Sequence, residues 1–503
     1  AGHGQIVGTM GEPGLGKSRL FHEFVGKPPS TSSGQASTGS GTVPLRVQGC
    51  LILSAYSVSH GKARAYLPVI ELLKSYFEIK GEDDERKRRE KVIGKVGANN
   101  YSPLHDRSLE DTLPYLFALL GIEEQPSPLA QMDPQIRRRR TFEALKKLFL
   151  RESLNQPLVL IFEDLHWIDG ETQGFLDVLS ESVASAKILL LTNYRPEYKH
   201  EWGQKTYYTQ LRLAPFGKAE AEEFLDVLLG TDVSLTALKQ LILDKTQGTP
   251  FFMEEIVQEL REQGVLAAAG ARPSTGSGTV PLPTDLHIPP TVQGILAARI
   301  DRLAPDEKAL LQQLAVIGRQ FPLSLIRQVI PQPEAEIYRL LASLQHKEFL
   351  YEQPAFPESE YLFKHALTQD VAYGTVLQEQ RKTLHEQTAQ AIEALYRTST
   401  EEHYGELAHH FSRSGNTEKA IDYLHKAGQQ AVQRSANPEA ITSLTSALEL
   451  LKTLPDTPGR AQRELLLHLA LVTPLALTKG PASPEVGRIS SRVLELSRQI
   501  GET

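Results

Sequence analysis

The octapeptide GEPGLGKS at residues 11–18 constrains this chain more than any other stretch. Its residues Gly11, Gly16, Lys17 and Ser18 fit the phosphate-loop pattern G-x-x-x-x-G-K-S. The apolar run QIVGTM precedes the loop, and SRLFHEFV follows it with helical spacing. A loop between a strand and a helix points backbone N–H groups at phosphate oxygens, while lysine adds positive charge and serine ligates magnesium. The predicted nucleotide-binding residues of this loop are Gly11, Glu12, Pro13, Gly14, Leu15, Gly16, Lys17, Ser18 and Arg19.

A second buried strand that ends in acid supplies the other half of such a site. The segment PLVLIFEDLHWID, residues 157–169, begins as a continuous apolar run, which is typical of a parallel strand covered on both faces. Parallel strands end at one edge of the sheet, so Glu163 and Asp164 should lie beside the phosphate loop. One acid can hold magnesium through water while the other orients an attacking water. We predict Glu163 and Asp164 as catalytic residues and, with Ser18, as magnesium ligands.

Further strands complete an α/β fold. KILLLTNYRP, from Lys187, is another buried strand whose end carries Thr192 and Arg195, and either residue is placed to sense a terminal phosphate. Arg195 is equally a candidate for a plain surface salt bridge. With TYYTQLRL and a strand that starts at Leu45, the apolar runs predict a parallel sheet covered by helices on both faces.

Composition excludes several classes of protein. A chain of 503 residues is long enough for several domains, and its net charge of −7 gives no overall basic field for nucleic acid. The single cysteine, Cys50, forms no internal disulfide and suits a reducing compartment, so we expect the cytoplasm. No apolar run reaches the length of a membrane span. The strand of the phosphate loop starts almost at residue 1 without an initiator methionine, which suggests a fragment.

Two Ser, Thr, Gly and Pro-rich stretches mark domain boundaries. The sequence STGSGTVPL occurs at 37–45 and again at 274–282, and we interpret both copies as parts of flexible connections. The domains predicted from these boundaries are a nucleotide-binding core at 1–215 with a flexible insertion at 28–44, a helical lid at 216–265, a linker at 266–286, a winged-helix-like domain at 287–377 and helical repeats at 378–503.

The predicted lid and winged helix each contribute one candidate residue. Pro250, in GTPFF, can rest on an adenine ring or simply start a helix. Three helices and two strand-like runs at 287–377 form a winged-helix pattern, but only Arg339, His346 and Lys347 are basic in its presumed recognition region. His365 is a core or capping histidine, or it reaches the nucleotide from the closed lid. The run Arg137–Arg140 is a solvated helix start or a contact between domains.

The C-terminal region alternates large and small residues as paired helices do. Seven positions fit one tetratricopeptide repeat, namely Tyr404, Leu407, Ala408, Phe411, Ala420, Leu424 and Ala427. Ala440, Leu444 and Ala447 continue the alternation at a different spacing. We therefore predict stacked helices with an open repeat count.

The order of phosphate loop, EDLHWID, TNYRP, GTPFF, winged helix and repeats resembles the STAND class of signalling ATPases over nearly the whole chain. The motifs LTNYRPEY, GTPFF and FKHALTQDVAY look like bacterial proteins in which this ATPase follows a class III adenylate or guanylate cyclase, of which no residue is present here. The resemblance implies an α/β P-loop NTPase of AAA-like fold with a helical lid, a winged helix and TPR-like repeats.

The resemblance also implies a switch that binds ATP or ADP with Mg²⁺. Lys17 and Ser18 match the phosphate and magnesium residues, Glu163 and Asp164 the Walker B pair, Arg195 the sensor, Pro250 the base-contacting proline and His365 the winged-helix histidine. A protein or small ligand on the repeats would prompt exchange of ADP for ATP, and hydrolysis would reset the switch. A nucleotide-dependent oligomer is left open.

Two alternatives to the switch stay open. One is a DNA-associated ATPase or transcription regulator that uses its winged helix on DNA, although the shortage of basic residues there makes nucleic acid a poor fit. The other is a scaffold of helical repeats that nucleotide stabilises without turnover.

Overall fold

The computed structural model describes residues 3–26, 45–47, 49–57, 65–81, 83–98, 109–122, 128–129, 131–263, 289, 291–353 and 359–501. The predicted insertion at 28–44 and linker at 266–286 lie outside these residues, as do both copies of STGSGTVPL except Leu45. No helix in the described ranges combines the length and the apolar character that crossing a bilayer requires.

A six-stranded sheet forms the core of the N-terminal half, in the spatial order β2-β3-β4-β5-β1-β6. Its strands are β1 (Gln5–Met10), β2 (Leu45–Val47), β3 (Cys50–Tyr56), β4 (Leu158–Glu163), β5 (Ile188–Tyr194) and β6 (Tyr208–Arg212). All pairings are parallel except that of β2 with β3. The single strand predicted from Leu45 is therefore a hairpin, because Gly49, at φ 79°, lets the chain reverse between Val47 and Cys50.

Helices cover both faces of this sheet, as predicted. The helices of this half are α1 (Lys17–Gly26), α2 (Leu67–Phe77), α3 (Glu85–Ala98), α4 (Leu113–Leu120), α5 (Pro134–Asn155) and α6 (Gly170–Ser180). Along β4, Leu160 and Phe162 join the larger apolar cluster, while Val159 and Ile161 pack on the opposite face with Phe21 of α1. This alternation explains why β4 reads as an unbroken apolar run.

A small helical unit follows the sheet. It contains α7 (Lys218–Leu229), α8 (Thr236–Thr246), α9 (Pro250–Glu262) and α10 (Val292–Asp301). The side chain of Arg299 in α10 is 1% exposed and forms ion pairs with Glu255 and Glu262 of α9. Its guanidinium also donates to the carbonyl oxygen of Lys347 at 2.7 Å. One buried arginine therefore joins the helical unit to the segment that comes next.

The segment predicted as a winged helix contains helices and a three-stranded antiparallel sheet in the order β7-β9-β8. Its elements are α11 (Pro305–Ile317), β7 (Gln320–Pro322), α12 (Leu323–Val329), α13 (Glu334–His346), β8 (Leu350–Gln353), β9 (Glu360–Phe363) and α14 (Ala366–Gly374). Arg339 pairs with Glu336 at 2.6 Å, and Lys347 pairs with Glu307. Two of the three basic residues in the presumed recognition region are thus neutralised within the fold.

Stacked helices make up the C-terminal region, as predicted. They are α15 (Gln378–Leu395), α16 (Tyr404–Ser414), α17 (Thr417–Gln433), α18 (Asn437–Leu451), α19 (Pro458–Lys479) and α20 (Pro484–Ile500). Phe411 is buried and stacks on Tyr423 with ring centroids 5.5 Å apart. A Cβ added to Gly428 of α17 would lie 2.7 Å from Cγ of Leu444 in α18, so these two helices approach closely.

Candidate functional site

The loop at residues 11–18 connects the end of β1 to the start of α1. Its glycines adopt backbone angles that other residues avoid, with φ 84° at Gly14 and φ 85° at Gly16. A Cβ added to Gly14 would also lie 3.1 Å from Cβ of Phe251, and Phe251 N–H donates to the Gly14 carbonyl oxygen at 3.2 Å. Gly14 is therefore required both by its conformation and by the close approach of α9.

Lys17 lies buried inside this loop. Its Nζ donates to the carbonyl oxygens of Gly11 at 2.7 Å and Glu12 at 2.9 Å, and the residue is 8% exposed. Burial lowers the pKa of the ammonium group, and Asp164 opposes that shift. A buried ammonium held by two neutral carbonyl groups in a glycine loop is suited to bind an anion such as phosphate.

Glu163 ends β4 and connects the second half of the site to the loop. Its carboxylate is buried and accepts a hydrogen bond from Nδ2 of Asn193 at 2.8 Å. Burial raises the pKa of Glu163, while hydrogen bonding by Ser18 and Asn193 acts in the opposite direction because it favours the ionised form. The strand-end acid therefore lies close to the phosphate loop.

Asp164 begins the turn that follows β4. It has φ 58°, a left-handed conformation, and its N–H donates to Oδ1 of Asn193 at 2.7 Å. Its carboxylate accepts from a guanidinium nitrogen of Arg319 at 2.5 Å, and the two side chains are 17% and 26% exposed. The acid at the sheet edge therefore contacts a residue 155 positions away in the chain.

Asn193 is a residue of the candidate site that the sequence analysis did not assign. The register pairs Phe162 with Thr192, so that Asn193 lies beside Glu163 and binds both acids. Thr192 is fully buried, and its hydroxyl has no hydrogen-bond partner in the described structure. The signal available in the sequence was that Asn193 is the last amide side chain on a buried strand.

Three other predicted residues belong to segments that approach the phosphate loop. Arg195 follows β5, and its charge contributes to lowering the pKa of both Lys17 and His365. Pro250 is the first residue of α9. The His365 ring stacks on that of Phe251 at 4.1 Å, and its Nδ1 accepts from the Leu367 N–H at 3.1 Å. His365 is therefore a helix cap, and it also faces the phosphate loop through Phe251.

The remaining loop residues differ in how they face the site. Leu15 is buried and Pro13 is half-buried, whereas Glu12 is exposed and contributes its backbone carbonyl to Lys17. Arg19 pairs with Glu23 at 2.8 Å on the exposed side of α1, with 74% of its side chain accessible. Among the predicted loop residues, Arg19 therefore pairs on the exposed side of α1 and not with the charged groups of the site.

His166, in the turn after Asp164, is a second residue that the sequence analysis did not assign. Both ring nitrogens are buried and lack a hydrogen-bond partner among the described residues. Burial lowers the pKa of the imidazole to about 4, while Asp164 opposes the shift. Buried polar atoms without a partner raise the energy of a protein unless a ligand or water satisfies them.

The donor set fits magnesium nucleotide. Oxygen ligands from Ser18, Glu163 and Asp164 are of the kind that Mg²⁺ prefers, and Mg²⁺ usually takes few protein ligands together with phosphate oxygens and water. Within the described ranges, no cluster of three or more His, Cys, Asp and Glu residues is arranged to hold a metal by itself. The unpaired nitrogens of His166 and the buried ammonium of Lys17 also agree with a polar ligand at this site.

The sheet order, the phosphate loop after β1 and the acids after β4 are those of an α/β P-loop NTPase fold. Residues 1–191 match a family model described as an AAA ATPase domain, in agreement with the predicted AAA-like fold.

Two individual proteins are similar over almost the whole chain. An uncharacterized protein of Rhizobium meliloti (strain 1021) is 26% identical over 512 residues, which cover 99% of this chain and 45% of that protein. The crystal structure of a Signal Transduction ATPase with Numerous Domains (STAND) protein with a tetratricopeptide repeat sensor, from Pyrococcus horikoshii, is 12% identical. Its alignment covers 99% of this chain and 63% of that chain, with a TM-score of 0.43. The chain thus spans less than half the length of the first relative.

Proposed function

We propose that this chain is a slow regulatory ATPase that acts as an ADP/ATP switch. The observation that carries the proposal is the order of the parallel strands, because β5 pairs with both β1 and β4 and so brings the phosphate loop and the strand-end acids to the same edge of the sheet. The sequence match to the AAA ATPase domain supports nucleotide binding by the same region.

In this proposal the loop binds the phosphates of the nucleotide. Lys17 would exchange its carbonyl partners for phosphate oxygens, since its ammonium group is attracted more strongly to an anionic oxygen than to a neutral carbonyl. Backbone N–H groups at the start of α1 add the positive end of the helix dipole. Ser18 and Asp164 would hold Mg²⁺, which neutralises charge on the phosphates when it is bound.

Glu163 would orient the water that attacks the terminal phosphorus. The water oxygen forms a bond to phosphorus, the bond to the bridging oxygen breaks, and the products are ADP and phosphate. For this role Glu163 must be ionised, and the hydrogen bonds from Asn193 and Ser18 favour that form against the effect of burial. Arg195 lies on the same side as Lys17 and is proposed to contact the terminal phosphate.

Contacts outside the ATPase domain support coupling to the rest of the chain. Phe251 of the helical unit binds the Gly14 backbone, and His365 stacks on Phe251. We propose that a protein or small ligand on the repeats changes these contacts and so promotes nucleotide exchange. The same proposal includes an effector, for which the resemblance suggests a nucleotide cyclase. It also includes a nucleotide-dependent oligomer.

Duplex DNA is not favoured as the partner. The Arg339 pair with Glu336 and the Lys347 pair with Glu307 leave little net positive charge on the presumed recognition helix, and phosphate contacts depend on such charge.

Phosphate release from the purified chain tests the proposal. We expect slow release with MgATP, at least about a hundredfold slower release in Glu163→Gln, and background rates in Lys17→Ala. Lys452→Ala, which removes an exposed lysine of α18, is the matched control and should release phosphate like the parent chain. Bound nucleotide without release in the parent chain would leave the scaffold alternative, and undiminished release in Lys17→Ala would contradict the assigned site.

A further inference from the structure

Arg319 is a cation from outside the ATPase domain that lies in the nucleotide site. It sits between α11 and β7, and its carbonyl oxygen accepts from the N–H of Phe363 at 3.0 Å. Gln320, the next residue, pairs with Leu362 in the small sheet. The backbone of Arg319 is therefore fixed to the sheet of the 287–377 segment, and the position of its guanidinium depends on where that segment lies.

Arg319 pairs with Asp164, which is also a proposed ligand of Mg²⁺. Its guanidinium donates to Oδ2 of Asp164 at 2.5 Å, and both side chains are partly exposed. With 26% and 17% of the two side chains exposed, the pair is largely shielded from water, so its strength depends on which other charges share the site. Phosphate is a stronger partner for arginine, because the planar guanidinium binds two phosphate oxygens at once.

The surrounding charges make this exchange depend on the nucleotide. The pKa of His365 is lowered by burial and by the charges of three nearby cations, namely Arg319, Lys17 and Arg195. The acids at the same site are Glu163 and Asp164. Asp164 cannot serve Mg²⁺ and the guanidinium equally, since the two cations repel each other unless more negative charge lies between them. A third phosphate supplies that charge, whereas ADP lacks it.

We propose that Arg319 distinguishes ATP from ADP, pairing with Asp164 when ADP is bound and with the terminal phosphate when ATP is bound. Because Arg319 is fixed to the small sheet, the exchange transmits the presence of that phosphate to the 287–377 segment. This inference rests on the proposed function and deepens it, since it names a residue outside the ATPase domain that reads the nucleotide.

Calorimetric titration with MgADP and with magnesium adenylyl imidodiphosphate, which resists hydrolysis, tests the inference. The quantity compared is the ratio of the dissociation constant for ADP to that for the ATP analogue. In Arg319→Ala this ratio should fall about tenfold or more through weaker binding of the analogue, with ADP affinity within about threefold of the parent chain, as expected for a lost charge-assisted hydrogen bond. An unchanged ratio would overturn the inference.

Two further variants keep the outcome clear. Arg319→Gln retains a hydrogen-bonding side chain but no charge, so its ratio must fall as well, and it replaces the alanine variant if that one unfolds. Arg327→Ala removes an arginine that pairs with Glu334 on the exposed surface of the same segment and should keep the parent ratio. Binding of neither nucleotide by the folded parent chain would instead defeat the proposed function, whereas binding of both with an unchanged Arg319→Ala ratio would defeat this inference alone.

Discussion

Glu439 of the helical repeats accepts a hydrogen bond from the backbone N–H of Gly170, the first residue of α6, at 3.1 Å. Helix α6 follows directly after the turn that carries Asp164, so the repeats contact the ATPase domain next to its acids. Arg137 of α5 strengthens the same contact by donating to Oγ of Ser435 at 2.8 Å and to the carbonyl oxygen of Val432 at 3.3 Å. These contacts are the direct connection through which a conformational change in the repeats would act on the candidate nucleotide site.

The folded protein should lose stability as the pH rises, because of the burial of Glu439. Burial raises the pKa of Glu439 to about 7, and the nearby acids Glu171 and Asp169 add to the shift. The folded protein therefore retains a proton that the unfolded chain loses from about pH 4.5 upward, so stability falls between pH 4.5 and 7 and levels off above. From pH 6 to pH 8 the contribution of Glu439 to the free energy of unfolding should fall by about 1 kcal/mol.

The variant Glu439→Gln isolates that contribution. It keeps the acceptor for Gly170 but does not titrate, so its urea unfolding should depend less on pH than that of the parent chain. Glu449→Gln changes an exposed glutamate of the same helix, with 64% of its side chain accessible, and is the matched control. Equal pH dependence of the parent chain and Glu439→Gln would contradict the assignment.

Asn193 and its neighbour Thr192 offer a second matched pair. Asn193→Ala removes hydrogen bonds to Glu163 and to the N–H of Asp164, so phosphate release should slow by about tenfold to a hundredfold while ADP binding persists. Thr192→Val replaces a buried hydroxyl that has no described partner and should leave release within about twofold. Circular dichroism melts of both variants check folding. Greater loss in Thr192→Val than in Asn193→Ala would contradict the role of Asn193 in holding Glu163.

Arg299 should be the most costly single arginine to remove outside the ATPase domain. Arg299→Ala leaves Glu255, itself 2% exposed, without its buried counter-charge, and loss of one partner of such a pair costs about 3 to 5 kcal/mol. Amide hydrogen exchange in α9 measures the loss as faster opening. Arg339→Ala breaks only an exposed pair and should leave exchange in α9 close to that of the parent chain. Similar effects of the two variants would contradict this view of Arg299.

The first two helices of the repeat region should loosen in acid. Nδ1 of His385 lies 2.9 Å from Nδ1 of His410, and its Nε2 lies 3.0 Å from the Tyr373 hydroxyl. Burial, followed by the charge of His410, lowers the pKa of His385 to about 3, so the folded protein keeps it neutral. The unfolded chain binds a proton below about pH 6.5, and stability is therefore lost as the pH falls from 6.5 toward 3.

Thermal unfolding at pH 7 and pH 5 tests this prediction. The parent chain should lose up to about 2 kcal/mol through His385 over that interval, and His385→Gln should lose less because it does not titrate. His346→Gln alters an exposed histidine of α13 and is the control. A parent chain and His385→Gln that respond equally to acid would show that the histidine pair does not set this sensitivity.

Local patterns in the sequence predicted the ATPase core. The phosphate loop, the strand ending in Glu163 and the sheet covered on both faces each follow from short stretches whose residue types suffice. The sequence analysis named Thr192 and Arg195 at the end of β5 but not Asn193, because adjacent strand residues point to opposite faces and only the register decides which one meets Glu163. Gly49 similarly turned one predicted strand into a hairpin.

Contacts between segments that are far apart in the chain could not be predicted from the sequence. Arg319 and Asp164 are separated by 155 residues, and Gly170 and Glu439 by 269, so no local pattern links them. The run Arg137–Arg140 was left open between a solvated helix start and a contact between domains. Arg137 contacts the repeats, which favours the second interpretation. Arg138 pairs with Glu171 at 2.7 Å within the N-terminal half.

The most direct test of the account is nucleotide binding by the purified chain. The protein is extracted for bound ADP or ATP and is then titrated with fluorescent ADP and ATP in the presence of Mg²⁺, with Lys17→Ala measured in parallel. We predict copurified ADP or binding of both nucleotides, with at least about a hundredfold weaker binding in Lys17→Ala, since the variant removes the buried cation of the phosphate loop. A folded parent chain that binds neither nucleotide, or that binds them as well without Lys17, would contradict the switch.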